Sequence, residues 1–354
     1  MHEITFLEQF VRIPSLSQHE ENAANYLVTR MTQLGFRAYR DDAGNAIGEL
    51  GTHGPLVALL GHIDTVGGKV PVRYEDGKLY GRGTVDAKGP FATFVWAAAR
   101  AMQTGNLPCR VVLIGAVEEE VATSKGANYV VDKYAPNYCI IGEPSSWNRI
   151  TLGYKGRLLV HYHHEQPSAH SAGELISAPE NAVLFWLAVQ EYCKAQNVEK
   201  ERLFEQLIPS LRLIASGGDG LHDWANSTIG LRLPEGVDPQ ALITKIKALQ
   251  VLFAPQSATT LTFEGACPAY RSPRATPLAN AFVRAIKANQ GTPGFLHKTG
   301  TSDMNVAGPA WKCPIVAYGP GDSSLDHTPD EHIVLAEYKQ AIEVLTAVLL
   351  GLTV

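Results

Sequence analysis

PLVALLG (residues 55–61), GPFATFVWAAARAMQTG (89–105) and CRVVLIGAV (109–117) are the stretches on which the fold turns. The first and third are short runs, continuous in apolar residues, as expected of strands covered on both faces. The second is longer and reads as a helix between them. YCIIG (138–142) adds another buried strand. This β-α-β rhythm predicts an α/β fold with a mostly parallel sheet flanked by helices. Upstream, Ala23, Leu27, Met31 and Leu34 recur at helical spacing, and Gly35 ends that helix.

From about Gly156 the texture changes. RLLVHYHHE alternates apolar and polar residues, as a half-exposed strand should. APENAVLFWLAVQEYCKAQ reads as a helix, PSLRLIASGG and NSTIGLRLP as strands, DPQALITKIKALQVLFA (238–254) as a helix capped by Asp238, and ATTLTFEGA as a strand. That order, β-α-β-β-α-β, is a split βαβ sandwich. It predicts a small domain, 156–267, inserted between the two parts of a larger one, 1–155 and 268–354. After Pro268 the α/β texture resumes with the helix PLANAFVRAIKANQ, the strand CPIVAYGPG and an amphipathic final helix, AEYKQAIEVLTAVLLGLTV.

A chain of 354 residues exceeds the size at which single cores stop growing, so two domains are the default. With 45% hydrophobic and 18% charged residues the composition is that of an ordinary globular protein. A net charge of -5 without a basic stripe argues against nucleic-acid binding. No apolar stretch reaches the roughly 20 residues needed to span a bilayer, so no membrane association is expected. The start, MHEITFLEQFVRIPSLS, lacks the basic and apolar regions of a signal peptide. Five cysteines, odd in number and without C-x-x-C spacing, read as free, largely buried thiols. A reducing cytoplasm fits these features.

Candidate chemistry gathers at the C-terminal ends of the predicted strands, where open α/β sheets place their sites. His62 and Asp64 follow PLVALLG, and Asp86 lies in the glycine-bracketed loop GRGTVDAKG. Glu118, Glu119 and Glu120 follow CRVVLIGAV, Glu143 follows YCIIG, and His327 lies in DSSLDHTPDE after CPIVAYGPG. Each alone has a plainer explanation: an incidental H-x-D, a solvated helix start, turn chemistry, a strand cap. Together they would repel one another at one sheet edge unless cations held them. Two histidines with three carboxylates suit zinc, or cobalt, and five ligands fit two ions sharing a carboxylate. The reaction implied is hydrolysis, with a further carboxylate moving the proton.

The order H-x-D, GRGxxDxKG, E-E, GEP and a late histidine in D-H-x-x-x-E resembles the dinuclear-zinc deacylase and carboxypeptidase family along the whole chain. The resemblance implies that His62, Asp86 and Glu143 hold one zinc, and that Asp86, Glu120 and His327 hold the other. It makes Glu119 the general base and Asp64 the residue that orients His62. The family writes its acidic motif D-E-E where this chain has Glu118-Glu119-Glu120, and a shift by one residue would make Glu118 the base and Glu119 the ligand. The inserted domain would be a lid and dimerisation domain, with His170 of PSAHSAG reaching into a partner subunit's site in a homodimer. Asn226 would lie near substrate, and Gly300, Thr301 and Ser302 of HKTGTSDMN would bind a substrate carboxylate, with Arg271 as a second clamp. His161, His163 and His164 read as solvated or packing residues.

GYKG, VEEEVATSKGA, HKTGTSDMN and PGDSSLDHTPDEH look most like one branch of that family. Its members release lysine, and often ornithine, from the C-terminal glutamate of a small acidic amino-group carrier protein of the LysW type. A basic rim around the active-site mouth is then expected. The runner-up is a small-molecule deacylase acting on acetylornithine, acetyllysine or succinyl-diaminopimelate. A non-catalytic member would show gaps in the metal set, and none is seen. A serine hydrolase would carry a G-x-S-x-G elbow, and none is present.

Overall fold

The computed structural model describes residues 2–251 and 258–352. Two compact units emerge: Met1–Gly153 with Arg271–His297 and Ser302–Val354, and Tyr154–Tyr270 with Lys298–Thr301. The first unit opens with helices α1 (Glu3–Val11) and α2 (Glu21–Gln33), then strands β1 (Arg37–Arg40), β2 (Ala46–Leu50) and β3 (Leu56–His62). Short strands β4 (Arg73–Glu75) and β5 (Lys78–Tyr80) lead to α3 (Lys88–Gln103), β6 (Arg110–Ala116), α4 (Lys125–Val130), β7 (Tyr138–Ile141) and β8 (Arg149–Tyr154). The second unit runs β9 (Gly156–Pro167), α5 (Ala178–Gln196), β10 (Ile208–Gly218), β11 (His222–Leu233), α6 (Pro239–Gln250) and β12 (Thr259–Cys267). The chain returns through β13 (Tyr270–Arg271), α7 (Pro277–Ala288), β14 (Gly294–Lys298), α8 (Met304–Trp311), β15 (Ile315–Ala317), β16 (His332–Val334) and α9 (Leu335–Gly351).

The central sheet has the order β1-β2-β6-β3-β7-β15-β8, with β13 and β14 beside β8. Its middle strands β6, β3, β7 and β15 are parallel, and the flanking pairs β1–β2, β2–β6 and β15–β8 are antiparallel. The inner strands read as unbroken apolar runs because both faces are covered: six of the seven residues of β3 are buried. Helix α3 is buried along almost its whole length and packs on α9 and α1. Close approach sets the ends of the inner strands. A Cβ on Gly142 would meet the Phe94 ring at 2.9 Å and Gly61 Cα at 3.1 Å, so only glycine fits there, one residue before Glu143.

The second unit is one four-stranded antiparallel sheet, β10-β11-β9-β12. Apolar side chains of β9 and β11 alternate inward onto α5 and α6 around Phe185, Val160, Ile229 and Ile246. Helix α5 starts on a reciprocal Ser177–Glu180 capping box, and α6 on the Asp238 side chain, which accepts from Gln240 N and Ala241 N. Of the helix expected over 238–254, Leu252, Phe253 and Ala254 lie outside the described residues. The sequence pattern did not mark α1, the β1–β2 hairpin or the small β16-β5-β4 sheet, all short or richly charged. The antiparallel flanks of the central sheet were likewise not foreseen. Among the described residues no helix is long and apolar enough to cross a membrane, and all five cysteines are free thiols.

Candidate metal centre

Parallel strands end at one rim, so β3, β6, β7 and β15 deliver their following residues to one place. Two groups of three ligating side chains form there: His62, Asp86 and Glu143, and Asp86, Glu120 and His327. His62 Nε2 stands 3.0 Å from Asp86 Oδ1 and 3.9 Å from Glu143 Oε1. On the other side, His327 Nε2 stands 3.0 Å from Asp86 Oδ2 and 3.1 Å from Glu120 Oε1. Ligands about 2.1 Å from a tetrahedral zinc lie about 3.4 Å from one another, so these spacings match the edges of two coordination shells. Each oxygen of Asp86 faces a different imidazole, which is the geometry of a bridging carboxylate.

The acidic triplet divides its labour. Glu118 has a left-handed backbone (φ 60°) and turns aside: its carboxylate accepts from Thr123 Oγ1 at 2.8 Å and pairs with Lys125 Nζ at 3.4 Å. Glu120 points at His327. Burial pushes the Glu119 carboxyl well above the ordinary value, with His62 opposing and Glu143, Asp303 and Glu120 adding to the rise. Burial also raises Glu120. Asp86 goes the other way: burial would raise it, but hydrogen bonds from His327 and His62 outweigh burial and hold it low. The His327 imidazole is drawn up to about 10 by Asp86 and then Glu120.

A second layer fixes these groups. Asp64 is fully buried; its Oδ1 accepts from Glu119 N at 3.1 Å and its Oδ2 from Glu120 N at 3.0 Å and from Ser17 Oγ at 2.7 Å. Asp64 Oδ1 also lies 3.4 Å from His62 Nδ1, which donates to Asp64 O at 3.0 Å. Asp64 thus meets the imidazole through its backbone carbonyl and the glutamate loop through its carboxylate. Glu331, also fully buried, accepts from Val85 N (3.0 Å) and Asp86 N (3.2 Å) and pairs with Arg82 at 2.6 Å. Lys88 is buried and donates to Ile13 O at 2.6 Å and Phe10 O at 3.3 Å; burial lowers its amine to about 7. Asp303 is buried with neither carboxylate oxygen hydrogen-bonded among the described residues, and burial raises it to about 7. Sequence reading assigned no role to Ser17, Lys88, Asp303 or Glu331. The E of D-H-x-x-x-E was the one available signal for Glu331.

The remaining candidates are placed within their own units. In the second unit, His170 lies in the exposed loop after β9, its Nδ1 accepting from Ala172 N at 3.1 Å. Asn226 on β11 faces His163 on β9, Nδ1 to Oδ1 2.7 Å. His161 reaches Thr228 Oγ1, and His164 is buried against Thr259 and Gln166. Thr301 Oγ1 accepts from Arg232 Nη1 at 3.1 Å, an arginine the sequence did not single out; Gly300 precedes it in the same turn. In the first unit, the buried Ser302 accepts from Met304 N at the start of α8, and Arg271 is exposed on β13.

Residues 58–351 match the sequence profile of peptidase family M20/M25/M40. The chain belongs to that family. It is a hydrolase of amide bonds with the M20 fold. The M20 relatives include the [LysW]-lysine hydrolase of Deinococcus radiodurans, 45% identical over 97% of this chain and 95% of that one. They also include the [LysW]-lysine/[LysW]-ornithine hydrolase of Saccharolobus solfataricus, 29% identical over 79% of this chain and 77% of that one. Among solved M20 structures, the metallo-carboxypeptidase Sso-CP2 of Sulfolobus solfataricus aligns over 99% of both chains, with a TM-score of 0.81 and 18% identity. The YXEP protein of Bacillus subtilis, described as a dinuclear metal binding peptidase, aligns over 98% of this chain and 96% of that one, with a TM-score of 0.70 and 13% identity.

Proposed function

We propose that this chain releases lysine, and also ornithine, from the C-terminal glutamate side chain of a small acidic amino-group carrier protein of the LysW type. The reading draws its main support from the 45% identity to a [LysW]-lysine hydrolase over nearly the whole of both chains. In this reading His62, Asp86 and Glu143 hold one zinc and Asp86, Glu120 and His327 the other, with cobalt accepted by the same donors. Such ions would supply Lewis acidity to the scissile carbonyl and to the attacking water.

The chain's own residues do the rest. Glu119, held among opposing charges, takes the proton of the attacking water and returns it to the leaving amine. Asp64 keeps His62 in one orientation and holds the backbone of Glu119 and Glu120 in place. Gly300, Thr301 and Ser302, with Arg271, bind carboxylate groups of the substrate, and Asn226 lies near it. The domain 156–267 acts as lid and dimerisation domain, and His170 of the lid stabilises the oxyanion in the partner subunit's site of a homodimer. Exposed apolar side chains on the second unit, Val183 and Leu187 on α5 and Leu213 and Ile214 on β10, are compatible with such a contact. The location is cytoplasmic.

The test compares kcat/KM on carrier-linked lysine with that on a free acyl-lysine. A preference for the carrier of at least a hundredfold is expected; equal efficiency would rule the carrier out and leave a small-molecule deacylase.

A further inference from the structure

A cavity of about 540 Å³ opens in the first unit, walled by the end of α1, the loop 12–16 and the loop that follows Asp64. That volume is in the range of small-molecule sites. None of the side chains that form the metal centre lines it. Its walls are mainly apolar, with Val11, Ile13 and Val66 among them, and four basic side chains, Arg12, Lys69, Arg82 and Lys88, complete it. Among the described residues no aspartate or glutamate lines it, although acids outnumber bases in the chain, 35 to 30. Three of these side chains are occupied: Arg12 by Glu8, Arg82 by Glu331 and Lys88 by backbone carbonyls. Lys69 is exposed and has no ion partner among the described residues. An apolar chamber whose one uncompensated charge is the Lys69 ammonium, with no acid in its lining among the described residues, favours an organic anion over a cation.

The cavity wall is continuous with the metal centre's supports. Ser15 Oγ donates to Ile63 O at 2.7 Å, and Thr65 N donates to Ser15 O at 2.8 Å, so the loop 12–16 is stitched to the segment bearing His62 and Asp64. Arg82 Nε donates to Gly68 O at 3.2 Å while its Nη1 holds Glu331, whose other oxygen holds the amide of Asp86. An anion in the cavity and Glu331 therefore share one guanidinium.

We propose that this cavity is a second ligand site, for a carboxylate with an apolar body, and that its occupancy is felt at Asp86 through Arg82 and Glu331. Binding lowers kcat without raising KM, because the ligand does not occupy the substrate's place.

The test is calorimetric titration of the metal-loaded full chain with 4-phenylbutyrate, with 4-phenylbutylamine as the cationic control. One saturable site is expected for the acid and none for the amine. Saturating free lysine should leave the isotherm unchanged. Lys69→Glu and Val66→Asp should each weaken binding at least tenfold while turnover without the acid stays within twofold of the parent. Lys69 is exposed, so its variant folds even if Val66→Asp does not. Absence of saturation, displacement by lysine, or undiminished affinity in Lys69→Glu would each overturn the proposal.

Discussion

The two sheets of this molecule handle polar groups in opposite ways. In β3 and β6 nearly every side chain is buried, so polar residues are left for the strand ends, and parallel strands bring those ends to one rim. In β9 and β11 one face packs on α5 and α6 while the other carries His161, His163, Asn226 and Thr228 in a row of cross-strand pairs. A doubly covered parallel sheet concentrates charge, and a singly covered antiparallel sheet spreads it. Concentrated carboxylates need counter-charges, and the spacings around Asp86 are those of ligand atoms that share a divalent ion.

The sharpest way to break this contrast is at Glu119. Glu119→Gln should cut kcat by about 10²–10⁴, the usual worth of a general base, with metal content unchanged by elemental analysis. Glu118→Gln, which alters a side chain turned toward Thr123 and Lys125, should stay within a few fold. The opposite pattern would move the acidic motif by one residue.

Glu331 tests whether the rim depends on its buried supports. Glu331→Ala strands Arg82 and frees the amides of Val85 and Asp86; losing one partner of a buried pair costs about 3–5 kcal/mol. Denaturant unfolding should show that loss, and an unchanged midpoint would deny Glu331 its structural role. Leu59→Ala, in the middle of β3, should cost about 2–5 kcal/mol through cavity formation. Val198→Ser in the second unit, 82% exposed, should change stability by less than about 0.5 kcal/mol.

A smaller effect distinguishes the rim by pH. In metal-free protein the His327 imidazole is raised to about 10 from its ordinary 6.5 by Asp86 and Glu120. A raised folded-state pKa means its contribution is fully present below about pH 6.5 and is lost as pH climbs toward 10. The melting temperature of the metal-free chain should therefore drift down over that window, and His327→Gln should flatten the drift. A drift unchanged by the substitution would assign it elsewhere.

What the sequence revealed follows the same contrast. Unbroken apolar runs such as PLVALLG announced the inner strands, and the groups directly after them, His62, Asp64, Glu119, Glu120 and Glu143, could be read off as rim residues. The inserted β-α-β-β-α-β order was legible from alternation and caps such as Asp238. Hidden from it were roles that exist only through long-range contact. Glu331 meets Asp86 some 245 positions away in the chain, Ser17 meets Asp64 across 47, and Arg232 meets Thr301 across 69. No local pattern encodes those pairings. Nor did alternation mark β1 or β2, strands of four and five residues too short to show a period, or warn that the sheet's flanks run antiparallel.

Zinc titration of the chelator-treated chain, read as ions bound per chain for the parent and for Asp86→Asn, probes the shared carboxylate directly. Two tightly held ions in the parent and neither held tightly in Asp86→Asn are the outcome predicted for a bridge. Two ions retained at full affinity without the Asp86 carboxylate would contradict it.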